Sequence, residues 1–235
     1  MSREEIISEF TDELEKIQTL FETPNLIREV ALAGINRVIR DNPPTTIRNS
    51  LINTKTSLEN ISDSSIKENY GIIYSQMCVL AASSLEAVIK KYFIEVTKEL
   101  STIRADREKL EKIKVNAYEL TEKYLDLSSS FGQLILDKDN SSLQNLKQIK
   151  DFIYVYLKKE LKLRPETELE IIFYLEVRHI LVHKSGIIDA KFINATKVKK
   201  ANLKSYKVGD RIELDEEDWI KIKQSFNSLL KEIVK

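Results

Sequence analysis

The chain is short of helix breakers. Five glycines and four prolines in 235 residues leave long stretches with nothing to interrupt a helix, so long helices are expected. Cysteine is scarcer still. Cys78 stands alone, which excludes an internal disulfide and a thiolate metal cluster and fits a reducing compartment. Its setting, Met77-Cys78-Val79-Leu80, reads as that of a small buried hydrophobe. Neither sign of charge is in excess. The 37 basic and 37 acidic side chains cancel, which excludes a broad cationic coat for duplex DNA but allows a local basic patch around a cleft. No run of about 18 apolar residues stands out to span a membrane. The charged start Met1-Ser2-Arg3-Glu4-Glu5 lacks the apolar stretch of a secretory signal. A cytoplasmic protein is expected. Hydrophobic residues make up 42% and charged residues 31%, the balance of an ordinary globular domain with a sizeable core.

Apolar periodicity organises the rest. Ile6, Ile7, Phe10, Leu14, Ile17 and Leu20 predict an amphipathic helix over 3–22, and a second helical segment runs to Arg40. The double proline in Asp41-Asn42-Pro43-Pro44 must break the helix. A short helix is expected over 46–60. A long apolar helix then runs from Ser64 or Ser65 to about Leu100, with Ile72, Ile73, Met77, Leu80, Leu85, Val88, Ile89 and Phe93 toward the core. Residues 106–126 read as a charged amphipathic stretch, Ser128-Ser129-Ser130 as a break or cap, 137–142 as a turn, and 143–162 as helix. Thr167 and Glu170 have the spacing of a capping box. The helix they would start, 168–185, is apolar nearly all round, which predicts a central position, and Gly186 is placed to end it. Tyr206–Leu214 alternates around Gly209-Asp210 and predicts a small β-hairpin. Asp215 then caps a last helix with Trp219, Ile222, Phe226, Leu229, Leu230 and Ile233 on one stripe. The fold class is mainly α with one C-terminal hairpin.

Both histidines of the chain fall together, in Arg178-His179-Ile180-Leu181-Val182-His183. Polar groups on a buried helix are costly unless paired or used. At about 100° per residue, Glu176, His179 and His183 share a stripe, while Arg178 lies about 140° from His183. A cleft there would gather a carboxylate, two imidazoles and a guanidinium.

The order of residues resembles the HEPN superfamily signature: an arginine, a polar residue, three residues, then a histidine. Here these are Arg178, His179 and His183. The continuation Lys184-Ser185-Gly186-Ile187-Ile188-Asp189 resembles that of many members, and Leu80–Lys90 resembles the helix that packs against the motif helix. The likeness covers roughly 65–235. It implies a HEPN-like helical bundle over 61–235 with an N-terminal helical extension over 1–60. It further implies a metal-independent endoribonuclease, in a toxin or antiviral-defence role, that leaves a 2′,3′-cyclic phosphate on RNA. In that chemistry His183 would be the acid/base group, because histidine titrates near neutrality. Arg178 would stabilise the phosphorane, and His179 would orient Arg178 or touch phosphate. No cofactor is implied. The partners implied are RNA, a second copy that completes the site at a homodimer interface, and an antitoxin or regulator. Some toxins of the superfamily carry a modifiable tyrosine two residues after the histidine; Ser185 stands there, so regulation by that modification does not carry over.

Other readings stay open. His179 and His183 have metal-ligand spacing on a helix, yet Ile180 stands where the zinc-protease motif needs glutamate. A non-catalytic HEPN-type module that binds RNA or protein would use the same helix. A plain surface pair of Arg178 with Glu176 is a further reading. Glu86 could support the site or be solvated. Lys197-Val198-Lys199-Lys200 reads as a solvated loop or a backbone-tracking strip, and Tyr154 with Tyr156 as core and rim or as a stacking platform.

Overall fold

A computed structural model of the chain describes residues 2–63, 65–98, 110–111, 113–114, 118, 127–139, 142–196 and 206–235. Among them are eight helices: α1 (Arg3–Arg40), α2 (Thr45–Asp63), α3 (Ser65–Val96), α4 (Leu127–Lys138), α5 (Leu146–Leu157), α6 (Pro165–His183), α7 (Ala190–Thr196) and α8 (Glu216–Val234). The protein is mainly α, as its periodicity predicts.

α3 is the hub. It packs against α1, α2, α4, α6 and α8. Met77, Cys78, Ala81, Leu85, Val88, Ile89 and Phe93 are buried along it. Phe93 meets Phe152 of α5 edge-on at 4.7 Å between ring centres. Two of the expected core positions, Ile72 and Leu80, are instead exposed, because α3 is apolar on more faces than its neighbours cover. The segment Gly71–Val96 has a mean hydropathy of 1.6 and is long and apolar enough, by length and composition alone, to cross a membrane. This corrects the expectation that no such run exists. Packing against five other helices buries 44% of that apolar stretch.

α1 is one helix where two were expected. Ser2 starts it with a capping box, accepting from the Glu5 N–H at 3.2 Å and donating its own N–H to the Glu5 carboxylate. Pro24 lies inside α1 and does not end it. Ile6, Phe10, Leu14 and Ile17 join the common core, and Gln18 Oε1 accepts from Trp219 Nε1 and Lys223 Nζ of α8. Packing on both sides of Pro24 outweighs the one hydrogen bond proline removes. The double proline does end it: α1 stops at Arg40, and α2 starts at Thr45.

Three local expectations fail. Ser128–Ser130 lie within α4; serine costs a helix only about half a kcal/mol relative to alanine, and burial of Leu134 and Ile135 outweighs it. The Thr167–Glu170 capping box does not form, because Pro165 starts α6 at its first position, with Arg164 as N-cap and no side-chain cap bond; Thr167 is already inside and buried. The C-terminal hairpin also fails to form. Its turn exists, with Gly209 at φ +95° and the Lys207 N–H on Asp210 Oδ2 at 2.7 Å. The pairing, however, is with the chain just after α6: Ile188 N–H to the Asp210 carbonyl, Gly209 N–H to Ile188, and Ile212 N–H to Gly186. Among the described residues this leaves a single antiparallel bridge, Ile187 with Arg211. The 106–126 stretch lies largely outside the described residues, and Lys197–Lys200 lies wholly outside them.

Candidate functional site

α6 is buried along most of its length. Ile171, Phe173, Tyr174, Leu175, Val177 and Ile180 are all buried, and the helix packs on α3, α5, α7 and α8. Acidic Glu166 and Glu168 in its first turn and His183 in its last complement the helix dipole. Tyr174 Oη donates to Asp218 Oδ1 at 3.1 Å in a buried setting. Asp218 also accepts the Asp215 N–H at 3.0 Å and so caps α8. One hydrogen bond thus ties the middle of α6 to the start of α8.

The middle of α6 is buried and its two ends reach solvent. His183 is exposed, while Arg178, His179 and Glu176 are half-buried. The His179 and His183 rings lie 4.8 Å apart between centres at an interplanar angle of 52°. The i, i+4 spacing therefore brings the two imidazoles together as expected. Arg178 lies on the flank set by the roughly 140° offset from His183, and its charge bears on both His179 and the buried Cys78 thiol. The side chains of Arg178, His179 and His183 make no hydrogen bond with any described residue.

His179 titrates below the ordinary histidine value. Partial burial is the largest cause; His183, Lys191 and Arg178 push the same way, and the Glu176 carboxylate opposes them. A neutral imidazole is therefore favoured, which is the form that accepts a proton. Sequence spacing does not pick out Lys191. It comes to the site because α7 folds back on α6. Asp189 Oδ1 accepts the Phe192 N–H at 2.8 Å to start α7, and Phe192 packs edge-on against Phe173 of α6 at 5.7 Å.

The segment that follows α6 turns the chain and starts the next helix. Ser185 and Gly186 both take positive φ, +52° and +77°, to turn the chain off α6, and the Gly186 N–H caps the Ile180 carbonyl at 3.0 Å. Ile188 is buried, and Asp189 starts α7.

A cleft of about 1000 Å³ opens on a neighbouring face of the same helix end. Leu181, Val182 and Ser185 line it, with Ile72, Ser75 and Val79 of α3 and the stretch 211–215 opposite. None of Arg178, His179 and His183 lines this cleft. Arg178 shares the angular position of Leu181, Val182 and Ser185 (i+3, i+4, i+7) and lies one turn below the wall.

Other candidates resolve locally. Cys78 is fully buried, its Sγ 3.6 Å from the Tyr174 carbonyl, and burial pushes its thiol well above the usual range. Glu86 pairs with Lys90 at 2.6 Å on its own helix. Tyr156 is core, donating to Asp139 Oδ2 at 2.6 Å, and Tyr154 is exposed rim. Among the described residues no three histidine, cysteine, aspartate or glutamate side chains are placed to hold a metal ion.

No family model, curated protein or solved structure matches the chain.

Proposed function

We propose that the chain is a metal-independent endoribonuclease of the HEPN kind, acting from the exposed end of α6. One observation carries this reading: two adjacent imidazoles and a nearby guanidinium stand without hydrogen bonds to the described residues, at the end of a helix whose middle is buried in the core. Polar groups left free in such a place are suited to a ligand. The cationic neighbours Arg178 and Lys191 around His179 suit a phosphate.

In the reaction, a neutral imidazole takes the proton of a ribose 2′-OH, whose oxygen attacks the adjacent phosphorus. The 5′-oxygen leaves with a proton from an imidazolium, and the 2′,3′-cyclic phosphate remains. His183 is the acid/base group. Arg178 bears on the charge that builds on the phosphorane. His179, held neutral, orients the site or accepts a proton. The 2′-OH requirement makes RNA the substrate. Arg178 and His183 of one chain face different ways, so the set is completed across a homodimer, as the HEPN resemblance implies. A cytoplasmic toxin or defence role, with an antitoxin or regulator as partner, follows from the same resemblance.

The roughly 140° offset between Arg178 and His183 on α6 also favours a second reading, in which the helix end binds RNA or a protein partner without cutting. An RNA oligonucleotide with a single 2′-deoxy nucleotide at the cut position distinguishes them. The nuclease leaves it intact at that position and gives cyclic phosphate ends on the all-ribose strand. Cleavage at the deoxy position contradicts the mechanism, and binding without any cleavage supports the second reading.

A further inference from the structure

α1 carries two apolar stripes, and the core uses only one. The first holds Ile17, Phe21, Leu32, Ile35 and Ile39, all buried or half-buried, and continues the stripe that packs into the bundle. The second holds Leu20, Ile27, Val30, Gly34 and Val38, all exposed, with Leu26 and Ala33 beside them. At 100° per residue the two stripes lie roughly 130° apart. Ile27 and Val30 are each 64% exposed. Over this face Arg37 is the one charged residue. A surface helix ordinarily presents polar residues there; here the described residues leave an apolar face uncovered.

We propose that a second copy of this chain covers it, with the two α1 helices packed antiparallel about a two-fold axis. Four observations favour this occupant. An antiparallel partner sets Ile27 against Val30, Thr23 against Gly34, and Leu20 beside Arg37 and Val38, which is the self-complementarity a two-fold contact requires. Glu22 and Arg37 flank the stripe on the same side, so each carboxylate meets the other copy's guanidinium. The exposed side chains amount to on the order of 1,200 Å² over two copies, at the lower edge of a specific interface. Gly34 provides room for close approach, since a Cβ built there meets nothing within 4 Å in its own chain.

This contact is separate from the α6 dimer proposed above, and its test does not depend on nuclease activity. Sedimentation equilibrium on the full chain measures the assembly. Ile27→Glu and Val30→Glu, at exposed positions where the fold tolerates them, weaken self-association roughly tenfold or more. Gly34→Leu also weakens it, although it adds apolar surface, because it blocks the close approach. Val182→Glu on α6 leaves this contact in place, as does Val208→Glu on an exposed turn. Circular dichroism confirms that each variant is folded. A monomeric wild type at high micromolar concentration overturns the proposal. So does an unchanged assembly in both glutamate variants, or stronger association in Gly34→Leu. Binding of monomeric protein to phosphatidylcholine–phosphatidylserine vesicles through the same residues also overturns it, in favour of a lipid surface.

Discussion

Removing a single oxygen, in Tyr174→Phe, tests how α6 is held. The ring of Tyr174 is fully buried, and phenylalanine keeps its shape, so no cavity opens. What is lost is the hydrogen bond from Tyr174 Oη to Asp218 Oδ1 at 3.1 Å. A hydrogen bond to a charged group contributes about 1.5–3 kcal/mol. Asp218 keeps the Asp215 N–H as a donor, which places the loss near the lower half of that range, about 2 kcal/mol. For a chain of this size that lowers Tm by roughly 4–8 °C. The pH dependence gives a second reading. Burial, and then the Asp218 carboxylate, push the Tyr174 phenol well above its ordinary value. The folded state therefore holds a proton that the unfolded state releases above pH about 10. Stability from this group is complete below that pH and falls as pH rises beyond it. Thermal melts of wild type and variant from neutral to alkaline pH measure both effects, and the gap between them should narrow above pH about 10. A Tm within a degree of wild type at neutral pH, or a gap independent of pH, refutes the assignment of this bond as a tie between α6 and α8.

Other perturbations follow from packing and charge. Gly132→Ala places a Cβ 2.9 Å from the Ile94 Cα and into Thr97 Oγ1, so the contact between α3 and α4 must spread; urea unfolding should show a loss of about 1–3 kcal/mol despite alanine's better helix propensity. In an NMR titration His179 should have its midpoint below the ordinary value of about 6.5; Glu176→Gln should lower it further, and Lys191→Ala should raise it, because those groups act on it with opposite signs. A histidine depressed in the folded state takes up its proton more readily when unfolded. Stability should therefore rise with pH through the window between that midpoint and the unfolded value of about 6.5, and His179→Gln should flatten the slope.

How far the structure was legible varies with how local each cause is. The final helix was fully legible, because Trp219, Ile222, Phe226, Leu229, Leu230 and Ile233 form one stripe and the Asp215 side chain accepts the Asp218 N–H at 3.0 Å. The double proline was equally plain. The start of α6 was not, since proline at the first helical position competes with the Thr167 signal and wins. The hairpin failed for a tertiary reason. Its turn residues are right, but the 209–212 arm finds its partner at 186–188, a choice that spacing within 206–214 cannot reveal. At the candidate site, the meeting of His179 and His183 follows from helical spacing alone. Lys191 arrives only because α7 returns along α6, a tertiary placement that spacing within α6 cannot reveal.

The central claim rests on Arg178 and His183, and total RNA incubated with purified protein in EDTA tests it most directly. Wild type should cut in the presence of the chelator, and His183→Ala and Arg178→Ala, both at positions outside the buried core, should fold normally and lose cleavage by about 100-fold or more. Cleavage by either variant at the wild-type rate, or dependence of the wild type on a divalent ion, would contradict it.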